Sequence, residues 1–309
     1  MRKIFLLILP SVLLLPALYS LPQIKKDTLS IEQALSRYSV SSPLFSPDGT
    51  KAVVVVFQTG IGEHIPSSHI WLVEVASKSI RQFTNSLKSE SSPRWSPDGK
   101  QLAFLSARDG ETQIYLMDLQ GGEALPLTES KTAINSFEWN PLGKTIAYLT
   151  EDEATAEEKK RIADKYDERA MSGSQKPTRI FIIDVINRKP IPLKKQNREI
   201  DELKWMPSGT ELLLLTQILP ATEIPKPELI KFSLKDSVIT VIPSPGHSAW
   251  GDIIIAPDGN SFAYHGARTD GRSRTIFLYN PSAITALKIS VKKISTCLFL
   301  KVNLSTAIV

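Results

Sequence analysis

The chain has 309 residues, 42% of them hydrophobic and 22% charged, with 37 Lys and Arg against 32 Asp and Glu. That length gives room for one large domain or two ordinary ones with a sizeable core. The near balance of charge argues against a nucleic-acid partner, and a single cysteine, Cys297, excludes an internal disulfide.

In chain order, Arg2 and Lys3 precede the apolar run "IFLLILPSVLLLPALY", and small residues follow at Ala17 and Ser20. This pattern predicts a secretory signal peptide over residues 1–20, and hence a periplasmic protein. Pro10 and Pro16 interrupt a run shorter than the ~20 residues a spanning helix needs, so no stable membrane span is expected after cleavage. Cleavage leaves 35 basic against 32 acidic residues, a formal +3. Next comes "DTLSIEQALSRYSVSSP", in which Ser30 and Gln33 form a capping pair, so residues 21–37 read as a short lead-in helix.

From residue 38 a unit repeats. In "RWSPDGKQLAFLSARDGETQIYLMDLQGGEALPLT", residues 94–128, three turn signals separate short hydrophobic runs. Ser96-Pro97-Asp98-Gly99 fits a type I turn: Pro fixes φ at the second position, Asp suits the third, and Gly accepts positive φ at the exit. Turns at Asp109-Gly110 and Gly121-Gly122 complete a four-stranded antiparallel meander. The same signature recurs at Phe45, Trp95, Trp139, Trp205 and Ile255, at intervals of 50, 44, 66 and 50 residues. Such a period is the length of a four-stranded blade, and the chain is therefore predicted to be an all-β protein, a β-propeller spanning residues 38–281. Each blade is expected to be apolar on both faces and stable only when stacked on its neighbours, with the residue before each turn in the core between blades.

The long third interval holds "EDEATAEEKKRIADKYDERAM", residues 151–171. Thr150 and Glu153 have capping-box spacing, and Ile162, Ala163, Tyr166 and Ala170 fall at helical intervals, predicting an amphipathic helix projecting from the third blade. A charged helix of this kind is ordinarily a solvated face.

The opening "LSIEQALSRYSVSSPLFSPDGTKAVVVV", the repeat "SPRWSPDGKQLAFLSARDGETQIYLMDLQGGEALPLT" and the charged insert followed by "TRIFIIDV" resemble the propeller half of secreted prolyl oligopeptidase family serine peptidases. The likeness is to the acylaminoacyl-peptidase and dipeptidyl-peptidase-like branch and covers roughly residues 28–280. It implies a non-catalytic domain that gates peptides to a Ser-Asp-His site in a following α/β-hydrolase domain. The nucleophile elbow Gly-x-Ser-x-Gly is absent from the sequence; "GRSRT", starting at Gly271, lacks the second glycine. Residues 282–309 carry no turn signature, and after Asp270 every charged residue is basic, so this tail is left unclassified and a truncated peptidase is the expectation. The alternative is a TolB-like protein-binding propeller, whose repeats are similar.

Other chemistry finds little purchase. His64 and His69 in "GEHIPSSHIW" read as loop histidines rather than metal ligands. His247, Ser248 and Asp252 are close in sequence but lack the convergence that a triad requires. Ser290 and Lys293 match a Ser-x-x-Lys spacing without companion motifs, and the turns account for Asp98 and Asp258. No catalytic, cofactor-binding or metal-ligating residue is assigned, no cofactor is expected, and the expected partner is a peptide or protein. Open first and last blades would present unpaired edges and favour self-association.

Overall fold

Alternation and turn chemistry act together in the computed structural model, which describes residues 38–41, 43–59, 66–164, 177–194, 197–219, 227–243, 247–268, 274–281 and 283–289. Five antiparallel sheets follow one another in sequence order, each a meander. The first contains β1 (Tyr38–Val40), β2 (Leu44–Phe45), β3 (Lys51–Gln58), β4 (Ser67–Glu74) and β5 (Ile80–Gln82). Both β1 and β2 pair with β3, so they are one inner strand interrupted around Pro43, whose missing N–H cannot join the ladder. The second sheet is β6 (Glu90–Trp95), β7 (Gln101–Ser106), β8 (Gln113–Asp118) and β9 (Leu125–Pro126). The third is β10 (Ile134–Trp139), β11 (Thr145–Glu151), β12 (Thr178–Asp184) and β13 (Pro190–Pro192). The fourth is β14 (Arg198–Trp205), β15 (Glu211–Ile218), β16 (Glu228–Ser233) and β17 (Ile239–Ile242). The fifth is β18 (His247–Ile255), β19 (Phe262–Arg268), β20 (Arg274–Asn280) and β21 (Ala283–Ile289). These are the five blades of a propeller, and β21 places residues 283–289 of the C-terminal segment in the last of them.

The first strands of successive blades, β6, β10, β14 and β18, lie against one another, which identifies them as the inner strands. Four core clusters each draw on two successive blades: Val53 and Leu72 with Trp95 and Phe104; Leu105 and Ile114 with Phe137 and Ile146; Leu149 and Ile180 with Trp205 and Phe232; Leu213 and Leu229 with Phe262 and Tyr264. Middle strands such as β7 and β15 are buried along almost their whole length because a blade covers each face. Each such aliphatic or aromatic side chain contributes about 1.5–3 kcal/mol by leaving water.

The turns after the inner strands have the predicted geometry. Gly49, Gly99, Gly143, Gly209 and Gly259 all have φ between +69° and +77°. In the first two turns Ser46 and Ser96 donate to Asp48 and Asp98 at 2.6 Å, and their hydroxyls accept the N–H of Lys51 and Gln101 at 2.9 Å. Turns also stack from blade to blade. A Cβ on Gly99 would lie 3.4 Å from Pro47, and one on Gly259 would lie 3.3 Å from Pro207.

Two local expectations are corrected. Phe45 is 54% exposed, whereas its counterparts Trp95, Trp139 and Trp205, each packed on the blade before, are 7–8% exposed; among the described residues no sheet lies against Phe45 on that side. The helix α1 (Ala156–Ala163) starts later than expected, and its capping box is Thr155 with Glu158. Glu158 N–H donates to Thr155 Oγ1 at 3.2 Å and Thr155 N–H to Glu158 Oε2 at 2.8 Å. Thr150 instead belongs to β11, buried and hydrogen-bonded to Thr132 and the Ala133 carbonyl, which leaves it unable to cap. Tyr166 and Ala170, residues 1–37 and residues 290–309 lie outside the described residues.

Candidate functional site

The inner strands carry a second regularity beneath the hydrophobic one. Each of β6, β10, β14 and β18 is broken by a bulge, between Ser91 and Arg94, Ile134 and Ser136, Ile200 and Glu202, and Ala249 and Ile254. A bulge turns the strand and re-aims the side chains beyond it. Ser92 and Asp252 reach φ of 52° and 54° inside two of these bulges, a left-handed conformation that costs a non-glycine residue energy.

Past the bulge, the residue just before each turn aromatic is Arg94, Glu138 or Lys204 in the second, third and fourth blades. These three form a ladder across the blade boundaries. Lys204 Nζ donates to Glu138 Oε1 at 2.6 Å, and Arg94 Nε lies 3.5 Å from the same oxygen. Lys204 also approaches Glu202 at 3.7 Å, and Glu202 Oε1 accepts the backbone N–H of Ile253 in the fifth blade at 3.1 Å. Burial pushes the Glu202 carboxyl above its ordinary range, with Lys204 opposing the shift. Burial also raises Asp201, and raises Glu199 together with repulsion from Asp201 and Glu151. The ladder ends at Asp252, whose carboxylate meets His265 Nδ1 at 2.7 Å on an exposed rim. Such a wall of alternating charges offers donors and acceptors at blade spacing to an extended polar chain.

His265 is the partner of Asp252 that sequence proximity did not reveal. It sits on β19, facing the β18 bulge, while the side chains of His247 and Ser248 lie outside the described residues. Among the described residues no hydroxyl or thiol hydrogen-bonds His265, and no group of three His, Cys, Asp or Glu could hold a metal ion. His64 and the Ser290–Lys293 stretch lie outside the described residues.

His69 is not a loop residue. It lies on β4, where its Nδ1 meets Glu90 Oε2 at 2.7 Å. Glu90 has no exposed surface and is also held by Thr84 Oγ1 at 3.0 Å and Arg108 Nη2 at 3.0 Å. Arg108 in turn lies over the rings of Tyr115 and Phe104 at 4.7 and 5.5 Å. Every member of this cluster is spoken for, so it locks the first blade to the second rather than receiving a ligand. Between the second and third blades a cleft of about 570 Å³ is floored by the stacked rings of Tyr148 and Phe181. The Arg179 to Asp152 pair, Nε to Oδ1 at 2.8 Å, stands in its wall.

Residues 23–176 match the family model described as PD40, the TolB beta propeller domain. The chain carries a TolB-like β-propeller. A stretch of 103 residues, 33% of the chain, is 37% identical to the uncharacterized peptidase YuxL of Bacillus subtilis and covers 16% of that protein. A stretch of 88 residues, 28% of the chain, is 28% identical to dipeptidyl-peptidase 5 of Porphyromonas gingivalis and covers 13% of it. The chain thus spans less than a fifth of the length of these curated relatives. Among solved structures, TolB from Acinetobacter baumannii superimposes with a TM-score of 0.53 at 14% identity, over 82% of this chain and 53% of that one. The acylaminoacyl peptidase of Pyrococcus horikoshii does so with a TM-score of 0.54 at 16% identity, over 79% of this chain and 38% of that one. The propeller therefore resembles those of prolyl oligopeptidase family peptidases and of TolB alike.

Proposed function

We propose that this chain is a non-catalytic, peptide-admitting propeller of the prolyl oligopeptidase family type, exported to the periplasm behind residues 1–20. The observation that carries the reading is the inner-strand ladder Arg94, Glu138, Lys204 and Glu202, which presents alternating charges across three blades. An extended peptide has the same alternation of donors and acceptors along its backbone and can exchange hydrogen bonds with such a wall without leaving a charge unpaired. The likeness to YuxL and dipeptidyl-peptidase 5 supports a peptide as the ligand. Gating of peptides is part of the proposal.

A second reading, a TolB-like propeller that docks a folded protein, is favoured by the family model over residues 23–176. One experiment separates them. Fluorescein-labelled unstructured peptides of mixed charge are titrated against the protein and against the Glu138→Gln and Lys204→Met variants, followed by anisotropy. Saturable binding that weakens several-fold in both variants supports the peptide reading; no peptide binding at any concentration overturns it.

A further inference from the structure

The cleft between the second and third blades shares no lining residue with the inner-strand ladder, and the fold leaves part of its polar capacity unused. Its floor is Tyr148 on β11 and Phe181 on β12, register partners whose rings stack with 5.3 Å between centroids and 11° between planes. Pro126 of β9 and Pro190 of β13 add two more apolar rings to the lining. At about 570 Å³ the space is the size of a small-ligand site.

Tyr148 is only 3% exposed, yet its hydroxyl has no hydrogen-bond partner among the described residues. Unlike the Trp139 indole N–H it is not sealed in, and it lines the cleft. A phenol so placed costs stability until something from outside hydrogen-bonds it. Burial pushes its pKa up to about 12, so it is a neutral O–H donor at any physiological pH. Arg188 supplies further donors. It sits in the β12–β13 turn at φ 54°, its N–H held by the Asp184 carbonyl at 2.9 Å. Asp184 Oδ1 fixes the same turn by accepting the N–H groups of Ile186 and Asn187. From there the guanidinium crosses the blade boundary to the Pro126 carbonyl at 3.3 Å, and among the described residues no carboxylate pairs with it. The other charges of the cleft are matched or face water: Arg179 holds Asp152, Lys131 holds Glu153 at 3.0 Å, and Glu129 and Glu151 are exposed.

We propose that this cleft binds a carboxylate carried close to an aromatic ring, the chemistry shared by the C-terminal aromatic residue of a peptide and a free aromatic acid. The ligand ring lies on the partly exposed Phe181 in an offset stack. Its carboxylate takes N–H groups of Arg188 that the Pro126 carbonyl leaves over, and Tyr148 Oη donates to a ligand oxygen. An arginine without an acidic partner, beside a neutral donor, selects an anion; the stacked floor selects a flat apolar body. The inference does not rest on peptide binding at the ladder.

Isothermal titration calorimetry with N-acetylphenylalanine, acetyl-Ala-Ala-Phe and the C-terminal amide of that tripeptide tests this. Both acids are expected to bind saturably, and the amide several-fold more weakly than its acid. Tyr148→Phe keeps the ring stack and loses only the hydroxyl, while Arg188→Gln keeps a polar side chain without the charge. Each should weaken both acids several-fold, whereas Lys189→Gln, an exposed neighbour that does not line the cleft, should leave them unchanged. Melting temperature gives a second readout: Tyr148→Phe should melt at or above the parent, since it removes a buried hydroxyl that has no internal partner. Tighter binding of the tripeptide acid than of N-acetylphenylalanine identifies a peptide terminus as the ligand, and equal affinities a free aromatic acid; either supports the site. No saturable binding of either acid, equal binding of acid and amide, unchanged binding in either cleft variant, or a lower melting temperature for Tyr148→Phe would each overturn the proposal.

Discussion

The indole N–H of Trp205 donates to the carbonyl oxygen of Glu138 across the boundary between the third and fourth blades, at 3.1 Å. Trp95 makes the equivalent bond to Leu44 one boundary earlier, at 2.9 Å. Trp139 holds the same position between them, yet its buried Nε1 has no hydrogen-bond partner among the described residues. Phenylalanine at any of the three removes similar ring area. At Trp95 and Trp205 it also strands a carbonyl, whereas at Trp139 it removes an unsatisfied donor. Trp95→Phe and Trp205→Phe should therefore cost about 1 kcal/mol more than Trp139→Phe. Urea unfolding of the three variants checks this, and equal costs would mean that the indole bonds contribute nothing net.

The turn glycines give a second comparison. Gly49 and Gly209 have nearly the same φ, +71° and +69°, so alanine pays a similar left-handed penalty of about 1–2 kcal/mol at either. Only at Gly209 would the new Cβ also collide, at 2.7 Å from Asn140 Oδ1 and 2.9 Å from Leu142 Cγ, and Asn140 itself donates to the Gly209 carbonyl at 2.9 Å. Gly209→Ala should be the more destabilising of the two in thermal melts by a margin of at least about 1 kcal/mol. Equal melting shifts would show that the third and fourth turns separate without cost.

Two glutamates on inner strands should behave in opposite ways. Glu90 is fully buried among His69, Thr84 and Arg108, so Glu90→Ala leaves Arg108 without its carboxylate and should cost about 3–5 kcal/mol. Glu138 keeps 17% of its side-chain surface exposed, and its partners Arg94 and Lys204 keep 35% and 28%. Glu138→Ala should then cost no more than about 1 kcal/mol while weakening peptide binding. Denaturant melts paired with the anisotropy titration measure both; a Glu138 variant as unstable as the Glu90 variant would make the ladder a structural element.

The blades were legible because their signals are local. A Pro-x-Gly turn and an alternating run fix a hairpin wherever they occur, and five copies at a near-constant period leave little choice of architecture. The ladder was legible in principle: once the repeats are aligned, "RW", "EW" and "KW" put alternating charge before the aromatic at 94, 138 and 204. What could not be read was any contact set by the bulges. The Asp252 to His265 pair depends on a residue at φ 54° in β18 facing β19, and no spacing rule predicts it. The Glu90 cluster gathers His69, Thr84 and Arg108 from β4, a connection and the turn after β7; the Asp109-Gly110 signal locates that turn but does not say what Arg108 meets. Capping-box spacing at Thr150 misled because β11 claims that threonine for its own ladder before the helix can begin.

Acid titration probes the turns and the ladder with opposite signs. Hydrogen bonds from Ser46 and Thr50 hold the Asp48 carboxyl down to about 2 from its ordinary 3.8, and Ser96 and the Lys100 N–H lower Asp98 in the same way. A carboxyl whose folded pKa lies below its unfolded value stabilises the fold above the unfolded value and loses that contribution as pH falls through the folded one. The window for Asp48 is therefore from about pH 4 down to about pH 2. Glu202 runs the other way: burial raises its folded pKa, so its contribution favours the fold below 4.5 and declines as pH rises past that value. Melting temperature against pH should show a shallower acid limb in Asp48→Asn/Asp98→Asn, because the amides keep the acceptor oxygen and lose the titration. Glu202→Gln should leave that limb in place and flatten the decline above pH 4.5. An acid limb unchanged in the double variant would mean that the turn hydrogen bonds persist in the unfolded chain, since only then do the folded and unfolded carboxyls titrate together.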